Sequence, residues 1–194
     1  MVAIVADYRV RQRHQTLATR CVADAKSAIR WVRQHARELG IDPNRIVAAG
    51  GSAGGHLAAC TAVLTEFDEP DESSEISSRP NALALFNPAL VLDNFDGVRF
   101  DPEKLADLTE RAGVDTSRIS PIHHVKGDLP PTIIFHGEAD STVPFSTVKR
   151  FSEVASEQGN QCELVGYPGA GHGFFNYGRG GGPGAHYLDT MYQL

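Results

Sequence analysis

A serine surrounded by glycines is the first feature of this sequence that could support chemistry. Ser52 lies in GGSAGG at residues 50–55 and fits the pattern G-x-S-x-G through Gly50 and Gly54. An apolar run precedes this stretch and a helix-like run follows it. In such a turn the serine takes strained backbone angles, and the positions two before and two after it have no room for side chains. The alternative is a serine that caps a helix after a glycine turn.

A serine hydroxyl needs a base, because it is a poor nucleophile while it keeps its proton. Of the eight histidines, His172 lies in a glycine-lined turn after a late apolar run, in YPGAGHGF at residues 167–174. We predict that His172 is the base. A turn histidine without a chemical role is the alternative. His56, one turn into the helix after Ser52, is predicted to pack or to support the site.

The base in turn needs an acid that fixes its tautomer and orientation. Asp140 lies in the loop after the apolar run TIIFH, with Glu138 as the second candidate and a turn-shaping aspartate as the alternative. The order Ser52, Asp140, His172, each after the end of a predicted strand, favours a hydrolytic triad. The N–H of Ala53, at the start of the following helix, would then bind a developing oxyanion.

Apolar runs alternate with amphipathic stretches along the chain. Strands are predicted at 2–6, 45–49, 82–86, 132–136 and 162–167, and helices at 21–39, 53–64, 146–158 and 185–194. This alternation predicts an α/β fold with a mostly parallel sheet. Because most strand runs are apolar throughout, helices are expected on both faces of the sheet. Trp31 is predicted to lie in the core.

The length of 194 residues suits one domain, spanning 1–194. Charges, prolines and a glycine break the alternation at about 93–128, so this segment is predicted to be a small insertion over one edge of the sheet. A short helix is expected within it at 102–112. The glycine run at 178–184 predicts a mobile loop.

Composition restricts the classes of partner. The net charge is −6 with acids and bases mixed, so no basic face for nucleic acid is predicted. The acidic stretch at 66–75 is expected to be a solvated loop. No run reaches the roughly 18–20 apolar residues of a membrane span, so no membrane partner is predicted. The three cysteines are widely spaced, and the adjacent His123 and His124 face apart, so no metal site is expected.

Several stretches resemble the α/β-hydrolase superfamily, in particular its esterase and lipase branch with acetyl esterases and carbohydrate deacetylases. The likeness lies in ADYRV (6–10), DAKSAIRWVRQHARELGIDPNRIVAAGGSAGGHLAA (24–59), FNPAL (86–90), SPIHHV (120–125), PPTIIFHGEADSTVPF (130–145) and GAGHGFFNYG (169–178). The resemblance implies that Ser52 is the nucleophile, Asp140 the acid and His172 the base. It further implies a small-molecule or carbohydrate ester as substrate, with a short acyl group, and hydrolysis through an acyl-enzyme without a cofactor.

The sequence departs from this branch at both ends. In similar proteins an early strand and an H-G-G-G-type loop precede the strand that leads to DYR, and that loop supplies an oxyanion donor. Here VAIVADYR begins at residue 2, so the early strands and this donor are expected to be missing, and the last helix to be cut short. Loss of one donor costs about 2.7–4 kcal/mol of transition-state stabilisation. A fragment or a misassigned start is therefore expected, with weak activity, poor stability or a homo-oligomer as consequences.

Two other functions stay open on these residues. A related hydrolase such as a peptidase, or a dienelactone-hydrolase-like enzyme, would use the same site, although the latter usually has cysteine in place of Ser52. A relic with the three residues but without the oxyanion loop would form an acyl-enzyme slowly or not at all. A cytoplasmic location is the default expectation, and secretion stays open because a missing N-terminal segment would hold any signal peptide.

Overall fold

A computed structural model describes residues 1–177, in which helices precede and then alternate with strands. The helices are α1 (Arg11–His14), α2 (Ala18–Gln34), α3 (Ala36–Leu39), α4 (Ala53–Val63), α5 (Pro102–Ala112) and α6 (Phe145–Glu157). The strands are β1 (Val47–Gly51), β2 (Ala82–Phe86), β3 (Thr132–Gly137) and β4 (Cys162–Tyr167). The loop predicted at 178–184 and the helix predicted at 185–194 lie outside the described residues.

The four strands form one parallel sheet in the order β1-β2-β3-β4. Gly51 pairs with Phe86, Phe86 with Phe135, and Phe135 with Val165. This register brings the carboxyl ends of all four strands to the same edge, where ligand sites of α/β proteins form. The predicted α/β class with a parallel sheet is confirmed.

The main apolar core lies between the sheet and two helices. Leu83, Leu85 and Ile134 point from the strands into a cluster that also contains buried side chains of α4 and α6. Phe151 of α6 is fully buried there. The opposite face of the sheet carries Phe135 in a second cluster, as expected because successive strand residues alternate between faces. Among the described residues, α4 and α6 therefore join the same face of the sheet.

The predicted strand at 2–6 is wrong. These residues form no strand, and Val5 is 98% exposed. Their β-branched apolar composition favours a strand, but a strand forms only where a neighbour offers backbone hydrogen-bonding groups. Within the described sheet β1 is an edge strand, and residues 2–6 do not pair with it.

The prediction that Trp31 lies in the core is also wrong. Trp31 is 49% exposed and stacks on His35, with ring centroids 4.2 Å apart. The buried residues of α2 are Val22, Ala23 and Lys26, so the inward face of the helix excludes Trp31. The predicted helix at 21–39 is present as α2 and α3, and ends at Gly40 with φ 66°.

The acidic stretch at 66–75 is largely exposed, as predicted for a solvated loop, but its carboxylates also attach it to α2. Asp68 forms ion pairs with Lys26 and Arg30, and Arg30 also pairs with Glu72. Lys26 is only 1% exposed. Its Nζ lies 2.8 Å from Asp68 Oδ2 and also donates to the carbonyl oxygen of Glu66. The basic face of α2 therefore determines where this loop lies.

The segment at 93–128 contains the predicted helix. In α5 the Asp101 side chain accepts a hydrogen bond from Lys104 N at 2.8 Å, and Gly113 ends the helix with φ 74°. Two 3-10 turns follow, at Thr116–Ile119 and Pro121–His124. None of the helices in residues 1–177 combines the length and apolar character needed to cross a bilayer.

Loss of the Asp68 carboxylate should destabilise the fold more than loss of Lys26. The variant Asp68→Ala leaves a buried ammonium without its counter-ion, which we expect to lower the free energy of unfolding by about 1–2 kcal/mol, since Asp68 is partly solvated. Lys26→Met removes the buried charge and keeps the volume, so the loss should be below about 1 kcal/mol. Urea denaturation followed by circular dichroism measures both.

Asp107→Ala is the matched control, because Asp107 and Arg111 form an exposed pair on α5. Its effect should stay within about 0.5 kcal/mol. An Asp68→Ala variant as stable as Asp107→Ala would show that the Lys26 pair does not hold the loop.

Candidate active site

Ser52 lies at the sharp turn between β1 and α4. β1 ends at Gly51 and α4 begins at Ala53, and Ser52 between them has φ 54° and ψ −117°. A positive φ is strained for a residue with a side chain. The turn is fixed to the neighbouring strand, since Ser52 N donates to Phe86 O at 2.8 Å. The predicted strand-turn-helix around Ser52 is confirmed.

Close packing explains two of the glycines around this turn. A Cβ on Gly50 would collide with the backbone of Gly54, which confirms the prediction for Gly50. A Cβ on Gly55 would lie 2.9 Å from both Gly50 O and Pro88 Cβ. The prediction for Gly54 is wrong, because a Cβ there would meet open space. The backbone of Gly54 lies close to β1, but a Cβ on Gly54 would point away from the strand, whereas a Cβ on Gly55 would point toward it.

The structure brings Ser52, His172 and Asp140 into one hydrogen-bonded chain. The Ser52 hydroxyl donates to His172 Nε2, with Oγ and Nε2 2.9 Å apart. His172 Nδ1 donates to Asp140 Oδ2 at 2.7 Å. Because an ionised carboxylate only accepts, Nδ1 carries the ring proton and Nε2 is free to accept from the serine. The His172 side chain is 26% exposed and that of Asp140 is fully buried.

Asp140 is buried but surrounded by donors. Its Oδ1 accepts from Thr142 N at 2.8 Å and from Val143 N at 2.9 Å. Its Oδ2 accepts from His172 and from the side-chain amide of Asn87. Burial alone would raise the pKa of Asp140, but these hydrogen bonds to the charged form outweigh it, so the pKa lies below the usual value. Asp140 is therefore ionised at neutral pH.

Two residues beside Asp140 were not predicted from the sequence. Asn87 directly follows β2 and is fully buried with φ 44°. His136 lies in β3, is fully buried, and donates from Nε2 to Val143 O at 2.9 Å. Burial disfavours the charged imidazole and lowers the pKa of His136. The Asn-Pro dipeptide at the end of a strand was the one sequence signal for Asn87, because asparagine tolerates left-handed backbone angles.

The other sequence candidates lie apart from this chain of hydrogen bonds. Glu138 is exposed. His56 is buried and its Nε2 lies 2.7 Å from Ile119 O. His123 and His124 contact different carbonyl oxygens, of Asn94 and Ser117. In the described part of the chain, no group of three or more acidic, histidine or cysteine residues could hold a metal ion.

Ala53 is the first residue of α4 and is exposed. The first N–H groups of a helix have no acceptor within the helix. The positive end of the helix dipole adds to their attraction for a developing anion. The position directly after Ser52 thus fits the predicted oxyanion donor.

Curated proteins with similar sequences are esterases. Esterase LipC of Mycobacterium tuberculosis is 32% identical over 95% of this chain, and acetylxylan esterase of Xylanibacter ruminicola is 28% identical over 88%. The chain spans 48% of the length of LipC and 34% of the length of the acetylxylan esterase.

A solved structure gives a closer likeness. The thermophilic esterase Est2 of Thermogutta terrifontis is 53% identical, with a TM-score of 0.89, and the match covers 96% of this chain and 66% of that chain. The same esterase has been solved phosphonylated by sarin and with butyrate bound. The sequence profile of the BD-FAE family matches residues 1–154. Together with the parallel sheet, these matches show that the chain belongs to the BD-FAE family and has an α/β-hydrolase fold.

Proposed function

We propose that this chain carries the catalytic centre of a serine carboxylesterase, with Ser52 as nucleophile, His172 as base and Asp140 as acid. The hydrogen-bonded chain from the Ser52 hydroxyl through the imidazole to a buried, ionised carboxylate supports the proposal most strongly. The strained backbone of Ser52 adds support, because nucleophiles of this fold lie on such a turn. The names of the similar proteins agree with the reaction class.

The acylation step follows from the positions of these atoms. Ser52 Oγ attacks the ester carbonyl carbon while His172 Nε2 takes the hydroxyl proton. The resulting imidazolium is stabilised by Asp140 through Nδ1. The carbonyl oxygen becomes an oxyanion, and the N–H of Ala53 donates to it. When the carbon–oxygen bond to the alcohol breaks, His172 gives its proton to the leaving alcohol, and the acyl group stays on Ser52.

The deacylation step uses the same residues in reverse. His172 Nε2 takes a proton from a water molecule, and the hydroxide formed attacks the acyl carbon. The proton then passes to Ser52 Oγ as the carboxylic acid leaves. No redox change and no cofactor enter this sequence of bonds. The reaction needs only the ester and water.

We propose a short acyl ester, including acetylated carbohydrate, as the substrate class. The acetylxylan esterase relative and the butyrate-bound structure of Est2 support this class. The sarin-phosphonylated structure supports organophosphates as reagents for the proposed nucleophile.

Ser52→Ala should abolish hydrolysis without unfolding the protein. Removal of the hydroxyl deletes the nucleophile, so kcat/KM for a p-nitrophenyl butyrate substrate should fall by at least about 10⁴-fold. Stoichiometric labelling by paraoxon, measured by intact mass, should disappear as well. Ser156→Ala is the matched control, since Ser156 is exposed on α6 and the hydrogen bond described for its hydroxyl goes to Ser152 O.

Paraoxon labelling that persists in Ser52→Ala would show that another residue is the nucleophile. Wild-type protein that is folded and neither hydrolyses the ester nor takes up paraoxon would contradict the esterase itself.

The charge of Asp140 should make its contribution to stability depend on pH. Its pKa is lowered in the folded state, so the ionised group stabilises the fold above the unfolded value of about 3.9, and this stabilisation is lost as pH falls through the folded pKa. Asp140→Asn should therefore be less stable than wild type at pH 7, and the difference in free energy of unfolding should shrink below about pH 4. Urea denaturation at pH 7, 5 and 3 measures this. In the exposed control Asp107→Asn, the free energy of unfolding should differ little from that of wild type at each pH. If Asp140→Asn lowers the free energy of unfolding equally at pH 7 and pH 3, the assignment of a stabilising charge to Asp140 is contradicted.

A further inference from the structure

We propose that Asn87 is a positioning residue for this site, which holds the Asp140 carboxylate in the orientation that His172 requires. This inference rests on the proposed esterase function. Asn87 does not touch Ser52 or His172 in the described contacts, so its effect acts through Asp140. Its side-chain amide donates to Asp140 Oδ2, the same oxygen that accepts from His172 Nδ1.

The backbone conformation at Asn87 determines where this amide lies. Asn87 N donates to Phe135 O at 2.9 Å, which fixes the residue to the end of β3. Its φ of 44° turns the chain sharply after β2, and Pro88 follows. Left-handed angles are accessible to asparagine more readily than to most residues with side chains. The strand end and the turn together place the amide beside the carboxylate.

The hydrogen bonds on Asp140 divide between its two oxygens. Backbone N–H groups of Thr142 and Val143 hold Oδ1, and these come from the loop of Asp140 itself. The Oδ2 atom is held by two donors from other parts of the sheet edge, His172 after β4 and Asn87 after β2. Without the Asn87 amide, His172 would be the remaining hydrogen-bond donor to Oδ2 among the described contacts. The carboxylate could then turn more freely, and the imidazole that donates to it would be oriented less precisely. A partner that orients a metal ligand typically changes activity about 10- to 100-fold, and we expect an effect of the same order for a partner that orients the acid of a triad.

The amide oxygen of Asn87 gives a second argument. It is buried and has no hydrogen-bond partner among the described residues. A buried polar atom without a partner destabilises a fold, so the oxygen end of the amide does not account for asparagine at this position. The N–H groups of the amide, directed to Asp140, provide the reason.

The titratable side chains described within 4 Å of Asp140 are His172 and His136. His172 Nδ1 is 2.7 Å from Oδ2, and His136 Nε2 is 3.4 Å from the same oxygen. The His136 ring is fully buried, and burial keeps its pKa below the usual value. His136 is therefore neutral at pH 7, and the interaction of Asp140 with a protonated imidazole concerns His172.

Three variants test the role of Asn87. Asn87→Gly removes the amide and tolerates the positive φ, so it separates the side chain from the backbone turn. Asn87→Asp keeps the shape but replaces donor N–H groups with a second carboxylate. Asn160→Gly is the matched control, because the Asn160 amide bonds Leu129 N, Lys126 O and Ala155 O and lies away from Asp140.

We expect Asn87→Gly to lower kcat by about 10- to 100-fold with KM unchanged, when rates are normalised to the number of sites that paraoxon titrates. In Asn87→Asp two carboxyl groups share one buried site and hold one proton between them, because like charges oppose each other's ionisation. The shared O–H then takes the place of the amide N–H on Asp140 Oδ2, so this variant should keep more of the wild-type kcat than Asn87→Gly. Asn160→Gly should lose stability in urea and keep the wild-type kcat per titrated site and the wild-type KM.

A kcat of Asn87→Gly per titrated site equal to that of Asn160→Gly would overturn the inference. So would an Asn87→Gly variant whose whole loss of kcat/KM lies in KM; if Asn87→Asp does not fold, the kcat and KM of Asn87→Gly decide alone. Failure here is distinguishable from failure of the proposed function. In the first case wild type is active and Ser52→Ala is not, whereas in the second wild type itself neither hydrolyses ester nor reacts with paraoxon.

Discussion

The buried negative charge of Asp140 constrains the structure around it more than any other feature of the site. The Asp140 side chain has no exposure to solvent, and a charge in that environment is tolerated only when donors surround it. The donors come from three parts of the chain: the end of β2, the loop after β3 and the turn after β4. They converge only when these strands lie parallel and in register. The geometry of the site is therefore a consequence of the sheet, and a shift of β2 or β4 would remove one of the two donors to Asp140 Oδ2.

The sequence predicted the parts of the site that depend on local pattern and chain order. Ser52 was visible through its glycine turn, and Asp140 and His172 through their places after successive apolar runs. Asn87 was not visible as part of the site, because its importance arises only where β2 lies beside β3. The error at 2–6 has a related cause, because composition favours a strand there but pairing depends on where a neighbouring strand lies, and residues 2–6 pair with none of the strands described in 1–177.

Lys26 and Asp140 are buried charges of opposite sign, and the chain satisfies them differently. Lys26 reaches from α2 to a carbonyl oxygen and to a partly exposed carboxylate, so its partners lie in a surface loop. Asp140 is enclosed by donors at the edge of the sheet. The acidic stretch at 66–75 could be recognised from the sequence as charged, yet its partners on α2 could not, since they lie about forty residues earlier in the chain.

The position of Trp31 has a practical consequence for the study of refolding. It is the single tryptophan of the chain. It stacks on His35 and is half-exposed, so its contacts differ from those of the buried side chains on the sheet. Its fluorescence therefore reports the formation of the end of one helix, a local event that takes microseconds or less in isolated helices. The contact between Ser52 and His172 joins residues 120 positions apart, and contacts of such long range form slowly. Emission from Trp31 therefore reports a contact at the end of one helix, whereas the regain of reactivity reports the joining of Ser52 and His172.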